Sequence, residues 1–316
     1  MHRIVCTLAC VILAGLLAHS GPVAAQESNA ESASPEDESP LSAMPIDEIA
    51  LELSHPASSL ASIDNDFEFT AYQGDLPGAS SQSSFRYVLR PSWPIRLSNG
   101  NNILLRASIP VNADQPVYVA DGVQYSAWMI RQFADDLPQD GYFKTGHDHL
   151  DDVGFDLAYS GVSDGGIIGL FGLKVVMPTN QDFSAARDQW LLGPELSLGK
   201  VTSWGVIGAS ANHLTNVSGE NRHDSDTNMT TVDVFFAYGL GNGWQVISNP
   251  EIEYDWEAAG GNKLFLPIGG GIAKTTRWGR MPLKMELEIF NYIVSPDAFG
   301  PNWLLTFSIT PVIRGR

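Results

Sequence analysis

Residues with the means to do chemistry fall into two settings. Residues 146–152 read GHDHLDD and gather His147, Asp148, His149, Asp151 and Asp152. Imidazole beside carboxylate is a ligand set for a divalent ion, but an HxH pair in an acidic loop is more often simply solvated, so no metal is assigned. The second setting is a series of charges spread along the chain. Arg86, Arg90, Arg96 and Arg106 come first, Glu195 and Asp233 follow, and Glu251, Glu253, Asp255, Lys284, Glu286 and Glu288 close it. If these side chains share the inner face of one architecture they line a lumen, and charges around a pore are how pores select ions. The arginines and the later carboxylates would then stand on opposing walls and set a transverse field, unless they pair with each other or with the N-terminal segment.

Catalytic readings find little to work with. His213 is the one histidine inside a candidate strand, and no G-x-S-x-G nucleophile motif accompanies it. PIGGGIAK (267–274) lacks the spacing and the strand-to-helix context of a phosphate loop. Glycines packed this closely in a strand mark a bend or a close backbone approach instead. No catalytic residue and no cofactor is assigned, and the chain reads as a non-enzyme.

The elements that position the charges are strands. In LKMELEIFNY, Leu283, Met285, Leu287 and Ile289 hold one parity, while Lys284, Glu286 and Glu288 hold the other. That period of two belongs to a β-strand with one apolar face. From Asp66 onward the same texture predicts twelve strands: 66–73, 83–97, 101–111, 151–161, 165–177, 188–200, 203–215, 228–240, 243–256, 262–276, 281–294 and 302–313. Most exceed the usual five or six residues and are long enough to cross a bilayer at a tilt. Facing is clear except in the seventh and tenth, where Gly and Ala blur it.

Connections alternate, long then short, all along the chain. Short links such as SNG, VT and GN answer long ones such as 112–150 and 216–227. A sandwich has no reason to keep every second loop short, whereas a transmembrane barrel has short turns at one rim and long loops at the other. Tryptophan agrees: Trp204, Trp244 and Trp278 sit beside short turns, and Trp190, Trp256 and Trp303 beside long loops. Two aromatic belts at opposite strand ends are what two membrane interfaces select.

The N-terminus reads as a secretory signal peptide over residues 1–25: Met1-His2-Arg3, an apolar run from Ile4 to Ala18, and small residues up to Ala25, the expected cleavage site. The chain's two cysteines, Cys6 and Cys10, fall inside it. Residues 26–65 hold nine acids and no Lys or Arg. Their Ser-, Pro- and acid-rich start predicts a disordered leader, and Ile46, Ile49 and Leu53 predict a short amphipathic helix that could enter the lumen as a plug. A net charge of −18 argues against a nucleic-acid partner.

Several stretches resemble a known family: SHPASSLASIDNDFEF (54–69), FRYVLRPSWPIRLSNGNNILLRASIPV (85–111), DQWLLGPELSLG (188–199), WQVISNPEIEYDWEAAGGNKLFLPIGGGIAK (244–274) and FNYIVSPDAFGPNWLLTFSITPVI (290–313). Together they are similar to the outer-membrane transporters grouped under the meta-pathway of phenol degradation. The resemblance implies an outer-membrane barrel that passes small, often hydrophobic or aromatic, compounds. The expectation is therefore an all-β, antiparallel, up-and-down transmembrane barrel of about twelve strands over residues 66–316. Its expected partners are outer-membrane lipid, small-molecule solutes and the barrel-assembly machinery. The alternative is a closed barrel with a structural or surface-interaction role carried by its extracellular loops.

Overall fold

The computed structural model describes residues 40–182, 186–219 and 226–313. The expected signal segment and most of the acidic leader lie outside them. Two short helices, Pro40–Ala43 and Ile46–Glu52, come first. Then follow β1 (Ala61–Gln73), β2 (Ser83–Arg96) and β3 (Asn102–Ala113). The next connection carries β4 (Pro116–Ala120), β5 (Val123–Tyr125), the helix Ala127–Phe133, β6 (Tyr142–Thr145) and β7 (His149–Leu150). After it come β8 (Val153–Val162), β9 (Ile167–Met177), β10 (Gln189–Val201), β11 (Gly205–Gly219) and β12 (Asn228–Gly241). The chain ends with β13 (Trp244–Ser248), β14 (Glu251–Asp255), β15 (Leu264–Trp278), β16 (Met281–Val294) and β17 (Gly300–Ile313).

Each wall strand pairs antiparallel with its neighbours in sequence, β17 returns to pair with β1, and β11 pairs with β12. With β13 and β14 counted as one interrupted strand, the sheet closes as a twelve-stranded up-and-down barrel. Closure removes every free sheet edge, which a wall in hydrocarbon requires. β4, β5 and β6 form a separate three-stranded sheet inside the longest loop.

The alternation puts apolar side chains outside. Phe171 is 65% exposed, Leu198 61% and Leu287 47%, among a long series of outward Leu, Ile, Phe and Trp residues. Inward neighbours are small or polar and enclosed: Ser197 and Ser210 bond to each other at 2.7 Å, and Thr275 is fully covered. This inversion of the soluble pattern marks the outer wall as a lipid-facing surface. Facing is also settled where Gly and Ala blurred it. On β11, Val206, Ser210 and Asn212 are buried while Ile207 is exposed; on β15, Ala273 and Thr275 are buried while Ile268 and Ile272 are exposed.

Most strand ends shift by up to four residues from the sequence expectation, and two differences have a clear physical cause. β1 begins at Ala61 rather than 66 because the polar run Asp64-Asn65-Asp66 is strand after all. Asn65 points outward, donates to the carbonyl of Ile309 at 3.1 Å and accepts from the Tyr87 hydroxyl at 2.8 Å, so its polarity is absorbed. The expected strand 243–256 is broken between β13 and β14, where Pro250 offers no N–H. The 112–150 stretch, expected as a loop, instead folds into its own sheet and helix.

Short and long connections segregate to opposite rims. Trp204, Trp244 and Trp278 stand at the short-turn rim and Trp190, Trp256 and Trp303 at the long-loop rim, all exposed outward.

Candidate functional site

The barrel interior holds a cavity of about 940 Å³. Its wall includes nine of the charges picked out by alternation: Arg86, Arg90, Arg106, Glu195, Asp233, Glu251, Glu253, Lys284 and Glu286. The other three lie elsewhere. Arg96 is exposed at the short-turn end of β2, and Asp255 is buried near the opposite rim, accepting the Glu257 N–H at 3.0 Å. Glu288 is covered by Asn249, whose backbone and side-chain amides both donate to its carboxylate at 3.0 Å.

The arginines do not face the carboxylates across an empty bore. Arg90 pairs with Asp66 and, at 3.8 Å, with Glu68 on the adjacent β1; Arg86 also reaches Glu68 at 3.8 Å. Arg106 spans Asp156 on β8 at 3.4 Å and Glu195 on β10 at 2.6 Å. These local pairs dismantle the expected transverse field, because each guanidinium finds a carboxylate on its own side. Asp66, Glu68 and Asp156 were visible as inward-parity residues but carried no further signal in the sequence.

What remains is an acid excess. Among the described residues the cavity wall carries eleven Asp and Glu against seven Lys and Arg, four more acids than bases. Asp233 and Glu251 are cross-strand partners on β12 and β14, an arrangement of like charges that is normally avoided.

At the short-turn end the interior turns apolar. Ile168, Val206, Phe235, Ala237, Ile247 and Ala273 converge from five strands and are covered by Ala57, with Leu51 packed against them. A second contact joins Ile49 to Leu60 and Val312, with Ile46 and Leu53 alongside. The segment 40–60 thus lies inside the barrel with the apolar stripe of its helix on the wall.

Polar tethers fix that segment. Asp47 accepts from the backbone N–H groups of Gly243 and, at 3.3 Å, Asn242 in the β12–β13 turn. Gly243 has φ of 76°, and a Cβ there would sit 2.2 Å from the Thr275 carbonyl and 3.4 Å from Ile46. Glycine is therefore what lets the helix approach this turn. Lys284, almost fully buried, reaches Ser54 Oγ at 3.0 Å, the Leu53 carbonyl at 3.4 Å and Glu286 at 2.8 Å. Arg277 donates to the carbonyls of Leu41 at 3.1 Å and Met44 at 2.6 Å.

Glu52 locks the helix end to the following turn. It accepts from the Ser59 N–H at 2.6 Å and the Ser59 hydroxyl at 2.7 Å, with His55 Nε2 3.6 Å away. Burial alone would raise its carboxyl, but the hydrogen bonds and charge of His55, with those of Ser59, hold it down at about 2, from an ordinary 4.5.

At the long-loop end the connection from β3 to β8 folds across the mouth. Tyr118, Ile130 and Leu137 pack with Leu76, Ala79 and Phe299 from two other loops, and Phe299 stacks on Tyr72 at 4.5 Å. Arg131, on the helix Ala127–Phe133, is buried and anchors this loop to the opposite wall. It pairs with Glu253, donates to the carbonyls of Asn262 and Lys263 at 3.3 Å each, and lies 4.0 Å over the Phe265 ring. Sequence reading missed Arg131 because it sits in a connection with no periodicity.

His147 and His149 also line the cavity. His149 is occupied locally: Nδ1 lies 2.8 Å from the His147 carbonyl and Nε2 lies 3.3 Å from Asn112 Nδ2. Among the described residues no three His, Cys, Asp or Glu side chains are grouped to hold a metal ion. His213 is on the outer parity of β11, 2.8 Å from the Thr230 hydroxyl, which also accepts from Trp256 Nε1 at 3.0 Å.

No protein-family model matches the chain, and no curated protein matches it in sequence. Solved structures do. An outer-membrane channel of Pseudomonas putida F1 aligns with a TM-score of 0.54 at 10% identity, over 80% of this chain and 96% of that one. The Pseudomonas putida toluene transporter TodX gives 0.37 at 8% identity, over 84% and 93%. Outer membrane phospholipase A from Escherichia coli gives 0.38 at 9%, over 84% and 96%. The last two scores say nothing further about this chain. The first establishes that it shares the barrel fold of an outer-membrane channel.

Proposed function

We propose that the chain is an outer-membrane channel that passes small solutes passively through its lumen. The observation that carries this reading is the cavity of about 940 Å³, lined by charged groups, inside a barrel whose outer face is apolar. A barrel with a purely structural role has no need of a solvated interior; its inward residues can simply fill the bore. The acid excess of the wall favours cations and zwitterions over anions. The resemblance to transporters of the phenol meta-pathway group extends the solute class to small hydrophobic or aromatic compounds. Residues 1–25 act in this reading as the export signal, and the assembly machinery inserts the barrel.

The segment 40–60 serves as a plug at the short-turn rim, which places it on the periplasmic side. The Trp residues at the two rims serve as interfacial anchors. Catalysis is not part of the proposal, since the hydroxyl beside His213 is already held by Trp256.

A second reading is favoured by one observation. The β3–β8 connection is a folded unit with its own sheet and a buried ion pair to the wall, more construction than a mobile loop needs. It fits a closed barrel that presents a surface to partners.

Liposome swelling separates the two. Purified protein is expected to admit arabinose and small amines faster than sugar acids of equal size. No swelling with any solute, from the full chain and from a variant lacking residues 40–58, both shown to be folded by heat-dependent gel mobility, would remove the channel reading and leave the surface role.

A further inference from the structure

β15 is paired to β16 from Leu266 to Trp278, with one register shift, whereas its pairing to β13 and β14 is interrupted. On that side pairing runs from Trp244↔Lys274 to Ile247↔Gly271, stops, and resumes at Glu253↔Phe265. Residues 248–252 and 266–270 are unpaired across the gap, five on each edge. The register is the same above and below, since the position numbers of each pair add to the same value. β12 meanwhile keeps its register past the gap, from Phe236↔Ser248 to Asp233↔Glu251, with the Val234 N–H on the Pro250 carbonyl at 3.1 Å between them. This is therefore no bulge but an unladdered slit between β14 and β15, held shut by contact of Gly270 with Ile247 and Ser248, in a wall otherwise interrupted for two residues at most within a strand pair.

The edges of the slit are depleted of hydrogen-bond donors. The odd-numbered residues of β15 face across it, as the bonds from Thr275 N–H to the Gly243 carbonyl and from Asp255 N–H to the Lys263 carbonyl show at either end. Within the slit those residues are Pro267, which has no N–H, and Gly269. Opposite them, the Asn249 N–H is diverted to Glu288 on the lumen side. One bond joins the two edges directly, from the Ser248 hydroxyl to the Gly269 carbonyl at 2.8 Å, and the two from Asn249 to Glu288 on β16 span the gap on the lumen side. Backbone left unpaired at membrane depth is tolerated only where it lines a cavity, and Asn249 and Glu251 line this one. Outside, Ile268 and Ile272 are more than half exposed to lipid. Gly269, Gly270 and Gly271 put no side chain in the way.

From this we infer that the slit is a lateral doorway through which small apolar or amphipathic solutes pass between the lumen and the hydrocarbon of the bilayer. The inference rests on the passage reading and specifies its route. An apolar solute gains by leaving a lumen lined with charges for lipid, and Asn249 and Ser248 form a latch of three hydrogen bonds that closes without a ladder.

A disulfide across the slit tests it. A Cβ at Gly270 would stand 3.3 Å from that of Ser248, near the separation a disulfide needs, with the Ile247 carbonyl 2.6 Å away to be displaced. The chain's own cysteines, Cys6 and Cys10, lie in the expected signal segment. Cells with an intact lipopolysaccharide leaflet, which excludes N-phenyl-1-naphthylamine, are expected to take up this probe several-fold faster when they carry the wild-type protein. In oxidised S248C/G270C uptake should fall to the level of cells without the protein and return with dithiothreitol, while arabinose swelling is unchanged. Wild-type uptake equal to the control, or uptake insensitive to a bond verified by mass, would overturn the doorway. Loss of arabinose swelling in the wild type would instead strike the channel reading itself. Hydrogen exchange gives an independent check should the bond not form. The Gly269 amide should exchange at least tenfold faster than that of Ala273, and equal protection would overturn the inference.

Discussion

The two ends of the lumen are narrowed by different means. At the short-turn end the filling is a segment that precedes the first strand and takes no part in the ladder. It rests on an apolar floor and is tied down by Asp47, Lys284 and Arg277, each bonding to a turn or to backbone carbonyls. At the long-loop end the cover is continuous with β3 and β8 at both of its own ends and is pinned midway by Arg131 on Glu253 and Phe265. A cover joined to the wall at both ends cannot leave the mouth, whereas a segment joined to the wall at one end and held by side chains can leave without breaking a strand pair. On the proposed reading the short-turn end is the one that can be vacated and the long-loop end the one that stays covered.

The most severe way to break the comparison is to damage the wall both ends share. Leu287→Arg places a charge on the lipid face and is expected to cost about 2–4 kcal/mol if near the midplane. Heat-modifiability on gels should show much less folded barrel. An unchanged folded fraction would put this strand back in a soluble core.

Next in size is the pin of the long-loop end. Arg131→Ala leaves the half-buried Glu253 without its cation, a loss of about 1–3 kcal/mol to the loop's docking. Protease added outside should then cut within 114–152, with the barrel still heat-modifiable and its conductance still limited by the segment at the other rim. Resistance equal to wild type would mean that the apolar cluster around Tyr118 holds the loop alone.

Acid should loosen the short-turn end selectively. The Glu52 carboxyl is held below its ordinary value, so its contribution to anchoring is complete above about pH 4.5 and is lost as pH falls toward about 2. The linkage is worth no more than about 3 kcal/mol. Openings should become more frequent across that window in wild type and lose this dependence in Glu52→Gln. The same titration in both proteins would assign the effect to other groups.

The smallest change is expected from Glu286→Gln. The amide oxygen can still accept from Lys284, which keeps Ser54 and Leu53 as partners. Stability should fall by less than about 1 kcal/mol, with a slight loss of cation preference in bi-ionic reversal potentials. A preference unchanged within error would show that this carboxylate does not face the permeating solute.

The architecture was readable in the sequence because the contrast between faces is strong and repeated. Phe85, Tyr87 and Leu89 against Arg86 and Arg90 leave one solution for a strand, and the short turns then fix neighbours and direction. β1 was shortened in that reading because Asp64-Asn65-Asp66 looks like a turn until Tyr87 and Ile309 are beside it. The partners of the arginines were not readable at all. Arg106 and Glu195 are 89 positions apart, and only the register of β8, β9 and β10 between them brings them together. The break at Pro250 was masked because the residues on either side keep a single parity, so the slit has no periodic signature. The segment 40–60 carried a helical stripe, but an apolar stripe does not say which surface it will cover.

Single-channel conductance in planar bilayers of the full chain and of a variant lacking residues 40–58, which leaves β1 whole, addresses the central claim most directly. The full chain should be closed for most of the record with brief openings, and the shortened one should conduct continuously at no less than about tenfold higher mean current. Equal silence from both, with the shortened barrel verified as folded, would contradict a passage closed by its own N-terminal segment.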